Sequence, residues 1–218
     1  MRYDINDKLI VSEIFDSIEG EGKRQGQFAT FIRLAGCNLR CSYCDTAYAF
    51  DGGEELSVPN IIRRIRFPNV TVTGGEPLEQ DIHWFLDRLP GHISVNIETN
   101  GSIDIADYLR WHGRQPVFFT MDYKCKSSGV DHGINPYNVE QLREQDVLKF
   151  VVGSEEDLDE ARDFCRLYHP KAMVYVSPVF GKMEPSEIVG YMKREYLTDW
   201  RVQLQIHKFI WNPQERGV

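Results

Sequence analysis

The chain has 218 residues, enough for one domain with a substantial core and short for two. Its 42% hydrophobic and 27% charged residues are an ordinary globular balance, and its longest apolar runs, about six residues, fall far short of the roughly 18 a membrane span needs. The formal net charge of −8 argues against general nucleic-acid binding, which depends on surplus Lys and Arg.

In chain order, residues 1–7 are polar and lack the apolar stretch of a signal peptide, so the chain reads as cytoplasmic. Residues 1–27 form an N-terminal extension in which 9–18 is a candidate extra strand. A repeat of short strand and helix follows. Strand candidates are 28–34, 70–73, 93–98, 117–121, 147–152, 173–177 and 202–206, rich in Val, Ile and Phe as buried parallel strands are. Helix candidates alternate with them. The first, 60–66, follows Ser57 and Pro59, and its Arg63, Arg64 and Arg66 read as a solvated helix face. Residues 81–89 place Ile82, Phe85, Leu86 and Leu89 on one face; 105–111 and 139–144 are next. Helix 155–168 starts after the N-cap Ser154, helix 186–197 follows Pro185, and 207–218 forms a tail. Such alternation implies a parallel sheet with right-handed crossovers, hence an α/β barrel or an open α/β sheet, in one domain spanning 1–218.

In these folds the loops after strand C-termini carry the chemistry. Here they hold the cysteine loop, then Thr73-Gly74-Gly75-Glu76-Pro77, Glu98-Thr99-Asn100-Gly101, Asp122-Tyr123-Lys124 and Ser177-Pro178. Polar residues therefore collect at one expected rim.

The cysteine count, five, is odd, and three fall within eight residues as Cys37, Cys41 and Cys44, spaced C-x3-C-x2-C. A secreted disulfide framework more often spreads an even number, so a metal site in a reducing compartment fits better. Cys125 and Cys165 stand alone and read as ordinary thiols. Three clustered thiolates suit three irons of a cubane cluster, leaving the fourth iron for a small molecule. The alternative is structural zinc, which wants four ligands; the candidates for the fourth, Cys125 and His83, lack paired spacing.

With Tyr43 before the last cysteine, this loop resembles the signature of the radical S-adenosylmethionine (SAM) superfamily. The resemblance implies that a four-iron, four-sulfur cluster on Cys37, Cys41 and Cys44 binds SAM. One electron then cleaves SAM to methionine and a 5′-deoxyadenosyl radical that takes a hydrogen atom from substrate. Gly74-Gly75-Glu76-Pro77 resembles the superfamily's SAM-amino motif. Adjacent glycines let backbone approach a ligand, and Glu76 is able to accept from an ammonium.

A narrower resemblance joins Phe15-Asp16-Ser17-Ile18-Glu19-Gly20-Glu21-Gly22 and Phe31-Ile32-Arg33-Leu34-Ala35-Gly36 to the loop ending Cys44-Asp45-Thr46. This combination resembles the 7-carboxy-7-deazaguanine synthase family over nearly the whole chain. It implies an abbreviated, partly open radical SAM (β/α) barrel and a lyase of queuosine and 7-deazapurine biosynthesis. The reaction so implied converts 6-carboxy-5,6,7,8-tetrahydropterin to 7-carboxy-7-deazaguanine with loss of ammonia, regenerating SAM. Magnesium, a homodimer and an electron donor such as a flavodoxin are implied with it, and neither nucleic acid nor membrane.

Carried over by position, Ile18, Glu19, Gly20, Arg33, Thr73 and His207 match substrate contacts, with the Arg33 fork suited to the pterin carboxylate. A structural ion pair is the other reading of Arg33. Thr46 matches the magnesium ligand, and Tyr43, Asp45, Gly75, Glu76, Asp122, Lys124 and Ser177 match SAM contacts. The chain departs from the family's pattern in three places. Glu19 replaces the usual Gln and is expected to accept hydrogen bonds from the pterin edge. Asp122-Tyr123 stands where Ser-Pro is common, and Lys126 where proline is usual. In some members the terminal carboxylate touches substrate. Two other readings stay open: a glycyl-radical activating enzyme, which shares the cysteine spacing but acts on a protein, and a non-catalytic zinc-binding module.

Overall fold

A computed structural model of the chain describes residues 7–111, 113–130 and 133–218; most of the polar N-terminus read above as lacking a signal stretch lies outside the described residues. Among the described residues nine strands form one sheet in the order β3-β1-β2-β4-β5-β6-β7-β8-β9. The N-terminal extension supplies β1 (Lys8–Ile18), antiparallel to both β2 (Phe28–Leu34) and β3 (Glu54–Ser57). From β2 onward all neighbours are parallel: β4 (Asn69–Gly74), β5 (Ser94–Thr99), β6 (Val117–Tyr123), β7 (Val147–Val152), β8 (Met173–Pro178) and β9 (Arg201–Val202). These strands lie in sequence order, and right-handed crossovers then put their helices on one face, as in a (β/α) barrel. β3 and β9 end the sheet unjoined, so the barrel is partly open.

The expected strands appear within a residue or two, except the last. The sequence predicts a strand over 202–206, but β9 covers only Arg201–Val202; Gln203 N still bonds to Val176 O at 2.9 Å, while its side chain bonds to both the N–H and the C=O of Gly22. β3 carried no strong apolar signal and exists because β1 offers it a pairing edge.

The helices are α1 (Val58–Ile62), α2 (His83–Arg88), α3 (Ala106–Arg110), α4 (Pro136–Gln141), α5 (Glu155–Tyr168), α6 (Pro185–Arg194) and α7 (His207–Ile210). α1 starts two residues before the expected 60–66 and stops early, because the N–H groups of Arg66 and Phe67 are drawn to Thr30 Oγ1 at 3.1 and 3.3 Å. Arg63, Arg64 and Arg66 are exposed as expected, but beyond the helix rather than on its face. α4 lies three residues before the expected 139–144: Asn135 caps it, accepting from Tyr137 N at 3.2 Å, and Pro136 opens its first turn. α5 matches the expectation, with Ser154 as its N-cap.

The sheet's two faces differ in chemistry. On the parallel strands Val70, Val72, Val95, Ile97, Phe119, Met121, Leu148, Phe150, Val174 and Val176 are buried and join the core under the helices. The alternate residues Thr71, Asn96, Thr120 and Lys149 are buried but polar. With a period of two, they share the opposite face with Thr73, Glu98 and Asp122. The apolar face builds the core, and the polar inner face builds a cavity.

Candidate active site

The cavity has a volume of about 390 Å³, within the range of small-molecule sites. At its rim is the cysteine loop after β2, with Cys37, Cys41 and Cys44 all half-buried free thiols along the cavity wall. At its floor is the turn 19–27 between β1 and β2, which brings Glu19, Gly20 and Glu21 into the lining after Ile18. Tail residues of the 213–218 segment, Arg216 and Val218 among them, close one side, and the Arg216 guanidinium lies 3.8 Å from the centre of the Tyr48 ring.

Backbone contacts from neighbouring loops shape the rim. Gly36 O accepts from Glu76 N at 2.8 Å, and a Cβ on Gly75 would stand 2.0 Å from that same oxygen and 2.5 Å from Cys37 Cβ. The Gly74-Gly75 pair therefore admits the cysteine loop itself. Ser42, between Cys41 and Cys44, donates its N–H to Ser128 O (2.8 Å) and its hydroxyl to Ser127 O (3.0 Å). That turn is held in its place by α5: Asp157 accepts from Ser127 N at 3.0 Å and from Gly153 N at 2.7 Å, while Glu160 accepts from Lys126 N and from the Tyr123 hydroxyl, both at 2.9 Å. Cys125 is buried beside these two carboxylates and away from the cavity, with burial pushing its thiol up; Cys165 is pushed up to about 12 for the same reason. His83 bonds to Asp81 at 2.7 Å and stacks on Tyr108. Neither Cys125 nor His83 lines the cavity, so no fourth zinc ligand comes from that pair.

The other expected residues gather here too. Tyr43, Asp45, Thr46, Thr73, Asp122, Lys124 and His207 all line the cavity. Thr46 Oγ1 donates to Asp45 Oδ1 at 2.9 Å, and Lys208 reaches Asp45 Oδ2 at 3.0 Å. The Asp45 side chain is 55% exposed, and Lys208 and Thr46, outweighing the desolvation it does meet, hold its carboxyl down to about 2. Arg33 makes the ion pair of its structural reading and also lines the cavity: its Nε donates to Glu13 at 2.7 Å, the carboxylate that also accepts from Tyr48 at 2.6 Å. Lys124, which without the family pattern reads as a solvated loop lysine, is paired with Asp122 at 3.0 Å.

Two candidates stand outside the lining. Glu76 is fully buried, with Oε1 accepting from Leu78 N (3.0 Å) and Thr99 Oγ1 (2.8 Å) and Oε2 from Asn100 N (2.6 Å). Its carboxylate ties the glycine turn to the end of β5 instead of facing an ammonium in the cavity. Ser177 is buried at the end of β8, and its hydroxyl has no partner among the described residues. Glu19 also departs from expectation: it is 1% exposed and accepts from Arg24 and Thr71 rather than presenting a free carboxylate to a pterin edge.

Sequence reasoning missed Lys149, Glu98 and a role for Glu21. Lys149, the one charge in the apolar run Val147–Val152, bonds to Glu21 and lies 3.2 Å from Asp122. Burial alone would lower its pKa, yet Asp122, Glu21 and Glu98 hold it well above the usual lysine range. Asp122, in place of the family's Ser, thus bridges two lysines, which pull its carboxyl down against its burial. Glu98 is raised to about 7, by burial first and then by the Glu19 and Glu21 carboxylates. A charge inside an apolar strand was the available signal for Lys149.

No protein-family model matches the chain. It is 43% identical to the 7-carboxy-7-deazaguanine synthase of Clostridium acetobutylicum, covering 95% of this chain and 98% of that one. With the enzyme of that name from Methanospirillum hungatei it shares 38% identity over 93% of its own length and 86% of the relative's. The crystal structure of QueE from Escherichia coli matches its fold with a TM-score of 0.73 at 19% identity, covering 91% of this chain and 94% of that one. Similarity of this degree over nearly the full length places the chain in the 7-carboxy-7-deazaguanine synthase family.

Proposed function

We infer that the chain converts 6-carboxy-5,6,7,8-tetrahydropterin to 7-carboxy-7-deazaguanine with loss of ammonia, as one radical SAM domain working in the cytoplasm. The observation that carries this is the gathering, in one small-molecule-sized cavity of a chain from this family, of three free thiols, Arg33, Thr73, Thr46 and His207.

The donor set fits the cofactors. Three thiols along one wall, with Cys125 and His83 elsewhere, support a three-thiolate set on Cys37, Cys41 and Cys44. The Thr46 hydroxyl beside the ionised Asp45 is a hard-oxygen pair suited to magnesium. When bound, the reduced cluster and SAM supply the 5′-deoxyadenosyl radical that takes a hydrogen atom from substrate.

The chain's own residues do the rest. The Arg33 fork, oriented by Glu13, binds the pterin carboxylate. The floor at Ile18 and Gly20 sets the depth of the ring, and His207 packs over it: a Cβ on Gly20 would lie 1.8 Å from His207 Nδ1. Glu98 lines the same cavity, its carboxyl pushed up by burial and by the neighbouring Glu19 and Glu21 carboxylates. A cavity closed by a floor and a tail supports a small substrate over the glycyl-radical alternative, whose polypeptide needs an open path. A homodimer and a one-electron donor such as a flavodoxin complete the proposal. Among the described residues no helix is long and apolar enough to cross a membrane.

The test is anaerobic reconstitution with iron and sulfide, reduction, and addition of SAM and the pterin, with mass spectrometry for 7-carboxy-7-deazaguanine. Product that depends on both SAM and reductant is the expected result. Accumulation of 5′-deoxyadenosine without product would reject the substrate while keeping the radical chemistry.

A further inference from the structure

The turn 19–27 crosses the end of the sheet opposite the cysteine loop, and one buried side chain bolts it there. Arg24 is 7% exposed. Its Nη1 donates to Asn69 Oδ1 and Ser94 O, both at 3.1 Å, at the first residues of β4 and β5. Its Nη2 donates to Val70 O (3.0 Å), Thr71 Oγ1 (3.1 Å) and Glu19 Oε1 (2.9 Å). The guanidinium also lies 5.0 Å from the centre of the Phe118 ring on the same inner face. Arg24 thus spans two strands of the barrel and the start of the substrate turn.

Glu19 completes the pair. A buried guanidinium needs a compensating anion, and a buried carboxylate needs a cation. With Glu19 1% exposed, its Oε1 is shared between Arg24 and Thr71. Holding Glu19 inward leaves the main chain of the turn facing the cavity, with Gly20 O fixed by Ile206 N at 2.9 Å and by Gln25 Nε2 at 3.1 Å. The Gln usual at this position in the family would leave Arg24 without its carboxylate.

We propose that Arg24 is a positioning residue for the pterin: through Glu19 and the β4–β5 carbonyls it latches the floor of the cavity, and Glu19 serves this latch rather than recognising substrate. The proposal rests on the function inferred above, so its test needs one arm that does not.

That arm is hydrogen–deuterium exchange of the amides in 19–27, compared between wild type, Arg24→Ala and Arg24→Ala/Glu19→Gln. Arg24→Ala removes the guanidinium that ties the turn to β4 and β5, and exchange across the turn rises about tenfold or more; adding Glu19→Gln removes only the stranded charge, and exchange stays raised. In turnover Arg24→Ala raises KM for the pterin by about tenfold or more while the Kd for SAM and the iron content stay within about twofold of wild type. In the double variant KM stays raised. Unchanged exchange and KM in Arg24→Ala, an equal loss of SAM affinity, or recovery of wild-type exchange and KM on adding Glu19→Gln overturns the latch. Should Arg24→Ala fail to fold, Arg24→Lys keeps the charge without the fork and gives intermediate exchange and KM; wild-type values for it overturn the latch equally. A wild-type enzyme that ignores the pterin rejects the substrate reading, while the exchange arm still decides whether the latch exists.

Discussion

The rim and the floor of the cavity are held by opposite means. At the rim the binding side chains are left free: the three cysteines form no disulfide, and backbone contacts to Gly36 and Ser42 set the loop's course. At the floor the side chains themselves are spent, with Glu19, Arg24, Gln25 and Gln203 all bonding within the protein. The contrast follows from what each end does. On the proposed function, a rim that takes up a cluster needs unpaired donors on a precise backbone, whereas a floor that defines depth needs rigidity and offers main chain.

The sharpest way to break this division is at the rim. Cys41→Ala is expected to abolish cluster assembly and turnover with little change in thermal unfolding of the apoprotein; iron analysis and a melting curve check both halves, and retained full activity would sink the cluster assignment. Next comes the support behind the rim. Asp157→Ala removes the acceptor for Ser127 and Gly153 and is expected to cost about 1–3 kcal/mol of stability. The loosened Ser42 contact also lowers iron retention, measured by following iron loss to a chelator. Retention equal to wild type would show that the loop does not depend on α5.

Between rim and floor, Arg33→Ala should weaken pterin binding by about tenfold or more with SAM binding nearly intact. Equal losses for the two ligands would reduce Arg33 to the structural partner of Glu13. The smallest expected effect is Glu98→Gln. The Glu98 carboxyl is raised from 4.5 to about 7, so its contribution to stability is fully present below pH 4.5 and is lost as pH rises through about 7. Glu98→Gln removes that loss, and the variant should gain on wild type across this window in denaturant titrations. Parallel pH profiles for the two would place the Glu98 titration elsewhere.

Local pattern made much of this legible. The parallel strands from 28 to 177 follow from apolar runs, α5 from Ser154 and its periodicity, and the cysteine loop from spacing alone. Most of the expected site residues line one cavity because strand ends in a parallel sheet share a rim. The orientation of Glu76 is not legible in this way: a glycine turn says where a carboxylate is, not which way it points, and the partners that turn it inward come from the end of β5.

By itself, then, the amino-acid sequence determined which segments become strands and helices, where the thiols cluster, and the family to which the chain belongs, since each is written in neighbouring residues. Only the tertiary structure decided that Glu19 faces Arg24, that Lys149 meets Glu21 across 128 positions, and that Gln203 holds Gly22. The period of two in a strand tells which residues share a face. Which charge stands opposite is set by register and barrel curvature, and a buried charge is tolerated only where that opposite partner arrives.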